Sequence, residues 1–223
     1  MQLQSIIREL RRRYGAPPAL ASKNPFHLIL WEQVAYLVPD TQRRRAFSQL
    51  RKQIGLTPGA ILAATTSQLE KITRSGGSIA AASRASRLRQ SAELVVGHWD
   101  GDLRTALRLP VPEARRALAR FPMIGEPGAD KILVATGHAR LLPLDSNGLR
   151  VLERLQLAPG GRNYRSAYRR AQDAVAPELP RRTSALLEAY GLLRIHGQQL
   201  CRRSRPLCSA CPLRLRCPSS SAK

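Results

Sequence analysis

The sequence predicts an all-α fold. Apolar residues recur at three- and four-residue spacing through most of the chain, no stretch alternates apolar and polar residues for more than a few positions, and Gly and Pro break the pattern at helix-length intervals. Ser5 to Tyr14 reads as a short basic amphipathic helix, with Ile6, Ile7 and Leu10 inward and Arg8, Arg11 and Arg12 outward; Gly15 and Pro17-Pro18 end it. A second helix starts near Pro25 and carries Leu28, Ile29, Leu30, Trp31, Val34, Ala35, Leu37 and Val38. It is apolar on almost every side, which predicts a buried central helix and makes Glu32 in its middle unusual. Thr41 to Ile54 reads as a helix and 55–59 as a break, while Ser67-Gln68-Leu69-Glu70 has capping-box spacing and opens a short helix. Gly76-Gly77 marks a turn, and Ile79 to Val96 a long helix exposing Arg84, Arg87 and Arg89. Leu103 to Leu109 and Pro112 to Arg120 form two further helices around Pro110.

The chain has 223 residues with 37 Lys and Arg against 15 Asp and Glu, a formal net charge of +22. Such an excess repels itself on compaction and attracts polyanions, nucleic acid first among them. A hydrophobic content of 43% excludes a disordered basic tail. No apolar run reaches the roughly 18 residues that a membrane span requires, and the N-terminal segment places its charges after its apolar residues, unlike a signal peptide. These features point to a cytosolic, nucleoid-associated protein. The four cysteines all lie between 201 and 217, where a reducing compartment favours a metal site over disulfides.

Residues 112–137, PEARRALARFPMIGEPGADKILVATG, read as a helix, a turn holding Gly125 and Gly128, and a second helix with Pro127 at its first position. Backbone N–H groups at such a helix N-terminus grip a phosphate without reading a base; the pattern alone fits any αα-hairpin. Eighteen residues after Pro127 comes Asp145, within LPLDSNGLRVL. It suits either the cap of a helix beginning near Asn147 or a functional carboxylate.

With this interval the chain resembles the helix-hairpin-helix DNA glycosylases of the endonuclease III superfamily, whose hairpin is followed at this spacing by a catalytic aspartate. LDSNGLRVLERL is especially similar to the adenine- and thymine-mismatch branches, and the resemblance covers roughly residues 20 to 217. It implies a bilobal fold, with a central helical lobe at 28–139 and a second lobe from 1–27 plus 140–223, and double-stranded DNA bound across the cleft by a monomer. Asp145 is then the essential carboxylate, which stabilises the positive charge building on the sugar or activates the attacking water. Two departures stand at the hairpin. Met123 replaces a family glycine, costly if that position needs a positive φ. Pro127 replaces the lysine whose amine attacks the sugar in bifunctional members, which implies a monofunctional enzyme that leaves an abasic site. Lys131, one helical turn on, is the available substitute amine.

Residues 24–32, NPFHLILWE, look like the entry to the family helix that carries a functional glutamate, and Glu32 falls on that position. A carboxyl among apolar residues protonates a departing base, or it forms a structural ion pair with an arginine. Tyr36 and Leu37 occupy the place of the residues that fill the gap left by an extruded nucleotide, where they serve as wedge or as core. Cys201, Cys208, Cys211 and Cys217 reproduce the family's 4Fe–4S loop, preceded by Ile195-His196-Gly197; a structural Zn²⁺ is the alternative. Arg202, Arg203, Arg205, Arg214 and Arg216 offset the charge of such a cluster and face phosphates. His27, His98, His138 and His196 lack ligand spacing and read as packing or surface residues. The segment from Asp100 to Pro112 looks extended relative to the family.

The expected function is excision of uracil or thymine opposite guanine. The alternatives are alkylated or deaminated purines, mismatched adenine, or a non-catalytic iron–sulfur DNA-binding protein. The chain ends at Lys223, without the further domain that adenine-mismatch enzymes use for oxidised guanine, which weighs against adenine.

Overall fold

The computed structural model describes residues 2–220, and every regular element among them is helical. The chain divides into two compact units, one spanning Leu20–His138 and the other joining the residues up to Ala19 with those from Ala139 onward. No helix among the described residues is long and apolar enough to cross a membrane.

The chain opens with α1 (Gln2–Tyr14), which belongs to the second unit. The unit from Leu20 then begins at α2 (Pro25–Gln33), where Asn24 Oδ1 accepts the amides of Phe26 and His27 and Pro25 fills a first-turn position. As its composition predicts, α2 is buried: Leu28, Ile29, Leu30 and Val34 are 0–1% exposed. It ends at Gln33, short of the Val38 that the apolar pattern suggests. The carbonyl of Val34 accepts from Arg84 Nη1 at 2.7 Å, Leu37 adopts φ 51°, and Gly76 sits so close that an added Cβ would lie 2.2 Å from Val34 O.

Beyond it run α3 (Asp40–Gln53), α4 (Pro58–Ala63), α5 (Thr66–Ser75), α6 (Ala81–Trp99), a 3₁₀ turn (Leu103–Arg108), α7 (Val111–Leu118) and α8 (Glu126–Ala135). Helix α6 is the spine, against which α2, α4 and α5 pack, while α7 pairs with α8. Three sequence expectations are corrected. The capping box of α5 is Thr65 with Gln68, not Ser67 with Glu70, and both reciprocal bonds are made, at 3.2 and 2.7 Å. The break read at 55–59 ends at Thr57, and α4 begins within it at Pro58, because Thr57 caps it and Pro58 suits its first turn.

Arg84, expected on the surface, is 2% exposed. It donates to the carbonyls of Val34, Gly76, Gly77 and Ile79. Helical periodicity puts an arginine outside; here carbonyls of two turns surround it, and the guanidinium donates to them.

In the second unit α1 and α9 (Ser146–Arg154) pack on α11 (Thr183–Gln199), and α10 (Tyr164–Val175) packs on α9. The contact between α9 and α11 is close enough that a Cβ on Gly197 would lie 2.6 Å from Asn147 O. This near-contact of backbones fixes what α11 presents to the start of α9.

Candidate active site

In the unit from Leu20, the carboxylate of Glu32 accepts a hydrogen bond from Lys131 Nζ. The lysine side chain is 10% exposed and the glutamate 27%. Two candidates that the sequence treats separately are thus one ion pair between α2 and α8, and the cation is a lysine rather than an arginine. Next to it Gln33 Nε2 donates to Pro122 O at 2.9 Å and to Ser91 Oγ at 2.8 Å, tying α2 to the turn before α8. Arg115 Nε reaches Asp130 Oδ1 at 2.6 Å and locks α7 to α8 through a fully buried carboxylate.

In that turn Gly125 is the N-cap of α8 at φ −83°, makes no side-chain cap bond, and Pro127 lies in the first turn. Neither Gly125 nor Gly128 needs a positive φ. The left-handed residue is Met123, at φ 66° and 59% exposed, so the glycine that is missing there is missed. Met123→Gly is expected to stabilise the protein by about 1 kcal/mol, read as a rise of roughly 3 °C in Tm; an unchanged or lower Tm would show the strain to be relieved elsewhere.

Tyr36 and Leu37 are exposed, 41% and 74%, in the turn after α2. Tyr36 N donates to Gly76 O at 3.3 Å, so the turn before α6 lies alongside, with Ile79 also half exposed. Sequence reading missed Ile79; its signal was an apolar residue directly after a Gly-Gly turn.

In the other unit Asp145 caps α9. Its Oδ1 accepts the amides of Asn147 and Gly148 at 2.9 and 2.8 Å. Its Oδ2 accepts Asn147 Nδ2 at 3.1 Å, and Arg194 Nε lies 3.5 Å away. Capping does not bury the carboxylate, whose side chain stays 28% exposed. Asn147 Oδ1 in turn accepts from Arg150 Nη2 at 2.9 Å, and Arg150 also donates to Gly197 O at 2.8 Å and Cys201 O at 2.9 Å. A polar chain thus runs from Asp145 to the first cysteine. The Tyr164 phenol is pushed up to about 12, first by burial and then by the charge of Asp145 and by Tyr190, so it stays a neutral donor. Glu32 and Asp145 belong to different units.

Cys201 follows α11, its amide bonded to His196 O at 2.9 Å. It lines a cavity of about 360 Å³ together with Cys208, Cys211 and Cys217, and none of the four is in a disulfide. Among the described residues no three His, Cys, Asp or Glu side chains converge on a single-ion position. Arg154 Nη1 lies 3.3 Å from Cys201 Sγ, placing a cation against the thiols. His196 forms part of the wall: buried, it bonds Tyr14 Oη through Nδ1 at 2.9 Å and approaches Cys211 Sγ at 3.7 Å, and burial pushes its pKa down to about 4.

No protein-family model matches the chain. It is 25% identical over 197 residues to endonuclease III of Sulfolobus acidocaldarius, covering 88% of this chain and 82% of that protein. Among solved structures it resembles a trapped endonuclease III–DNA covalent intermediate, with TM-score 0.74 and 18% identity over 99% of this chain and 96% of that one. It also resembles a thermostable thymine-DNA glycosylase, with TM-score 0.76 and 16% identity over 100% and 96%. The chain is thus similar over most of its length to an endonuclease III, and it shares the all-helical fold of the endonuclease III and thymine-DNA glycosylase structures.

Proposed function

We propose that the protein is a monofunctional DNA glycosylase of base excision repair, hydrolysing the N-glycosidic bond of a damaged or mismatched base extruded from duplex DNA, with uracil or thymine opposite guanine as substrates. The relatives are named as an endonuclease III and a thymine-DNA glycosylase, and one of the similar structures is a DNA complex. The observation that carries the reading is Asp145, a partly exposed carboxylate already oriented by two amides and a carboxamide. Cleavage builds positive charge on the sugar, and a preoriented carboxylate stabilises that charge, or activates water, without reorganising first.

The monofunctional character rests on Pro127, which brings no amine to the first turn of α8, and on Lys131, whose ammonium is engaged by Glu32. Uncapped by any Gly125 side chain, the α8 N-terminus near Gly125 and Gly128 suits a phosphate. Tyr36 and Leu37 suit the gap that an extruded base leaves. The cysteine cavity, with its apolar walls and adjacent guanidinium groups, fits a 4Fe–4S cluster better than a single Zn²⁺. Cys201, Cys208, Cys211 and Cys217 would hold such a cluster, and Arg150 and Asn147 link their loop to Asp145.

The test is base release from labelled G:U and G:T duplexes, read with and without alkali. Strand breaks appearing only after alkali are expected. Breaks without alkali would overturn the monofunctional assignment and make an amine the nucleophile, whereas no release from any duplex would leave a DNA-binding protein.

A further inference from the structure

Arg194 has no part in the chemistry described so far. Helix α11 is held against α9 by the close fit at Gly197, and Leu193 packs where Gly148 leaves room, a Cβ there lying 3.5 Å from Leu193 Cβ. Arg194, three residues before Gly197, is brought by that fit to Asp145 Oδ2, at 3.5 Å and 24% exposed. Orienting Asp145 does not require it, since the three donors of Asn147 and Gly148 already fix the carboxylate at shorter range. A cation at this point also opposes the positive charge that must grow on the sugar. Its attraction to Asp145 offsets part of that cost, and negative charge growing beside it in the same step offsets the rest.

We infer that Arg194 stabilises the departing base as an anion, so that the substrates are pyrimidines whose ring imide supports negative charge at N1. This rests on the assignment of Asp145 as the essential carboxylate. The C1′–N1 bond breaks with its electron pair passing to N1; a water oxygen bonds C1′ and gives its proton to Asp145 or to solvent, and the base anion takes a proton from solvent after leaving. Carboxylate and guanidinium thus supply one countercharge for each half of a heterolysis. A second observation agrees. Departing purines need a proton donor, and Glu32, the acid that the sequence suggests, faces the ammonium of Lys131 instead.

The experiment is single-turnover release of 5-fluorouracil, uracil and thymine, each opposite guanine, a series of falling leaving-group acidity. Wild type is compared with Arg194→Met and Arg194→Lys, with duplex affinity and Tm measured for each. Arg194→Met is expected to slow thymine release roughly 100-fold but 5-fluorouracil only about tenfold, with affinity little changed and Arg194→Lys recovering part of the difference. Equal slowing of all three bases, or a loss confined to binding, would show a structural role and overturn the inference. Wild type that releases adenine or alkylated purines but no pyrimidine would also overturn it while leaving a glycosylase. Absence of release from every duplex would remove the enzymatic reading and this inference with it.

Discussion

Replacing Asp145 by Asn is expected to lower base release roughly 1,000-fold while leaving folding and duplex binding nearly intact. The variant separates the two duties of this residue. An Asn oxygen still accepts the amides of Asn147 and Gly148, now received by Asp145 Oδ1 at 2.9 and 2.8 Å, so the cap survives; losing the charge at the α9 N-terminus costs less than about 1 kcal/mol. What disappears is the negative charge facing the sugar. Single-turnover release from a G:U duplex, beside a binding titration on the same duplex, reads both. Unchanged release would take Asp145 out of the mechanism, and lost binding with proportionate loss of release would make it a structural residue.

Arg84→Met is the substitution with the largest expected effect on stability, about 4 kcal/mol and a Tm drop on the order of 10 °C. Burial, then Arg43 and Arg87, push the Arg84 pKa below its ordinary value. The guanidinium is retained because it serves the carbonyls of Val34, Gly76, Gly77 and Ile79. A methionine fills the volume and satisfies none of them, leaving the buried Val34 carbonyl without a partner and Gly76 with the Tyr36 amide alone. Those carbonyls belong to the turns that present Tyr36, Leu37 and Ile79, so affinity for mismatched duplex is expected to fall further than stability alone explains. Thermal unfolding and a mismatch-duplex titration check the two effects; a loss below about 1 kcal/mol would show that water replaces the guanidinium.

Much of the site was legible because its signals are local. The Asp145-Ser146-Asn147 run specifies a cap wherever it is placed, four cysteines within 201–217 specify one loop, and Met123 announces its strain once the turn around it is recognised. Glu32 was noticed because a charge among Leu28, Ile29 and Leu30 contradicts the pattern around it. Its partner was not legible, because 99 residues separate it from Lys131 and nothing local in either helix names the other. Arg84 failed for a related reason: periodicity places a charged residue outside, and only the assembled turns reveal backbone acceptors that hold it inside.

By itself the sequence determined the helical class, the hairpin with its Met123 and Pro127, the cap at Asp145 and the cysteine loop, since each depends on residues within about one or two helical turns. The tertiary structure decided where α2 stops, that Glu32 and Lys131 pair, that Arg150 and Asn147 link Asp145 to Cys201, and that Arg194 stands beside the carboxylate. These depend on how closely helices approach, which is set by packing at positions such as Gly76 and Gly197. Packing is a property of residues distant in sequence, so no local pattern records it.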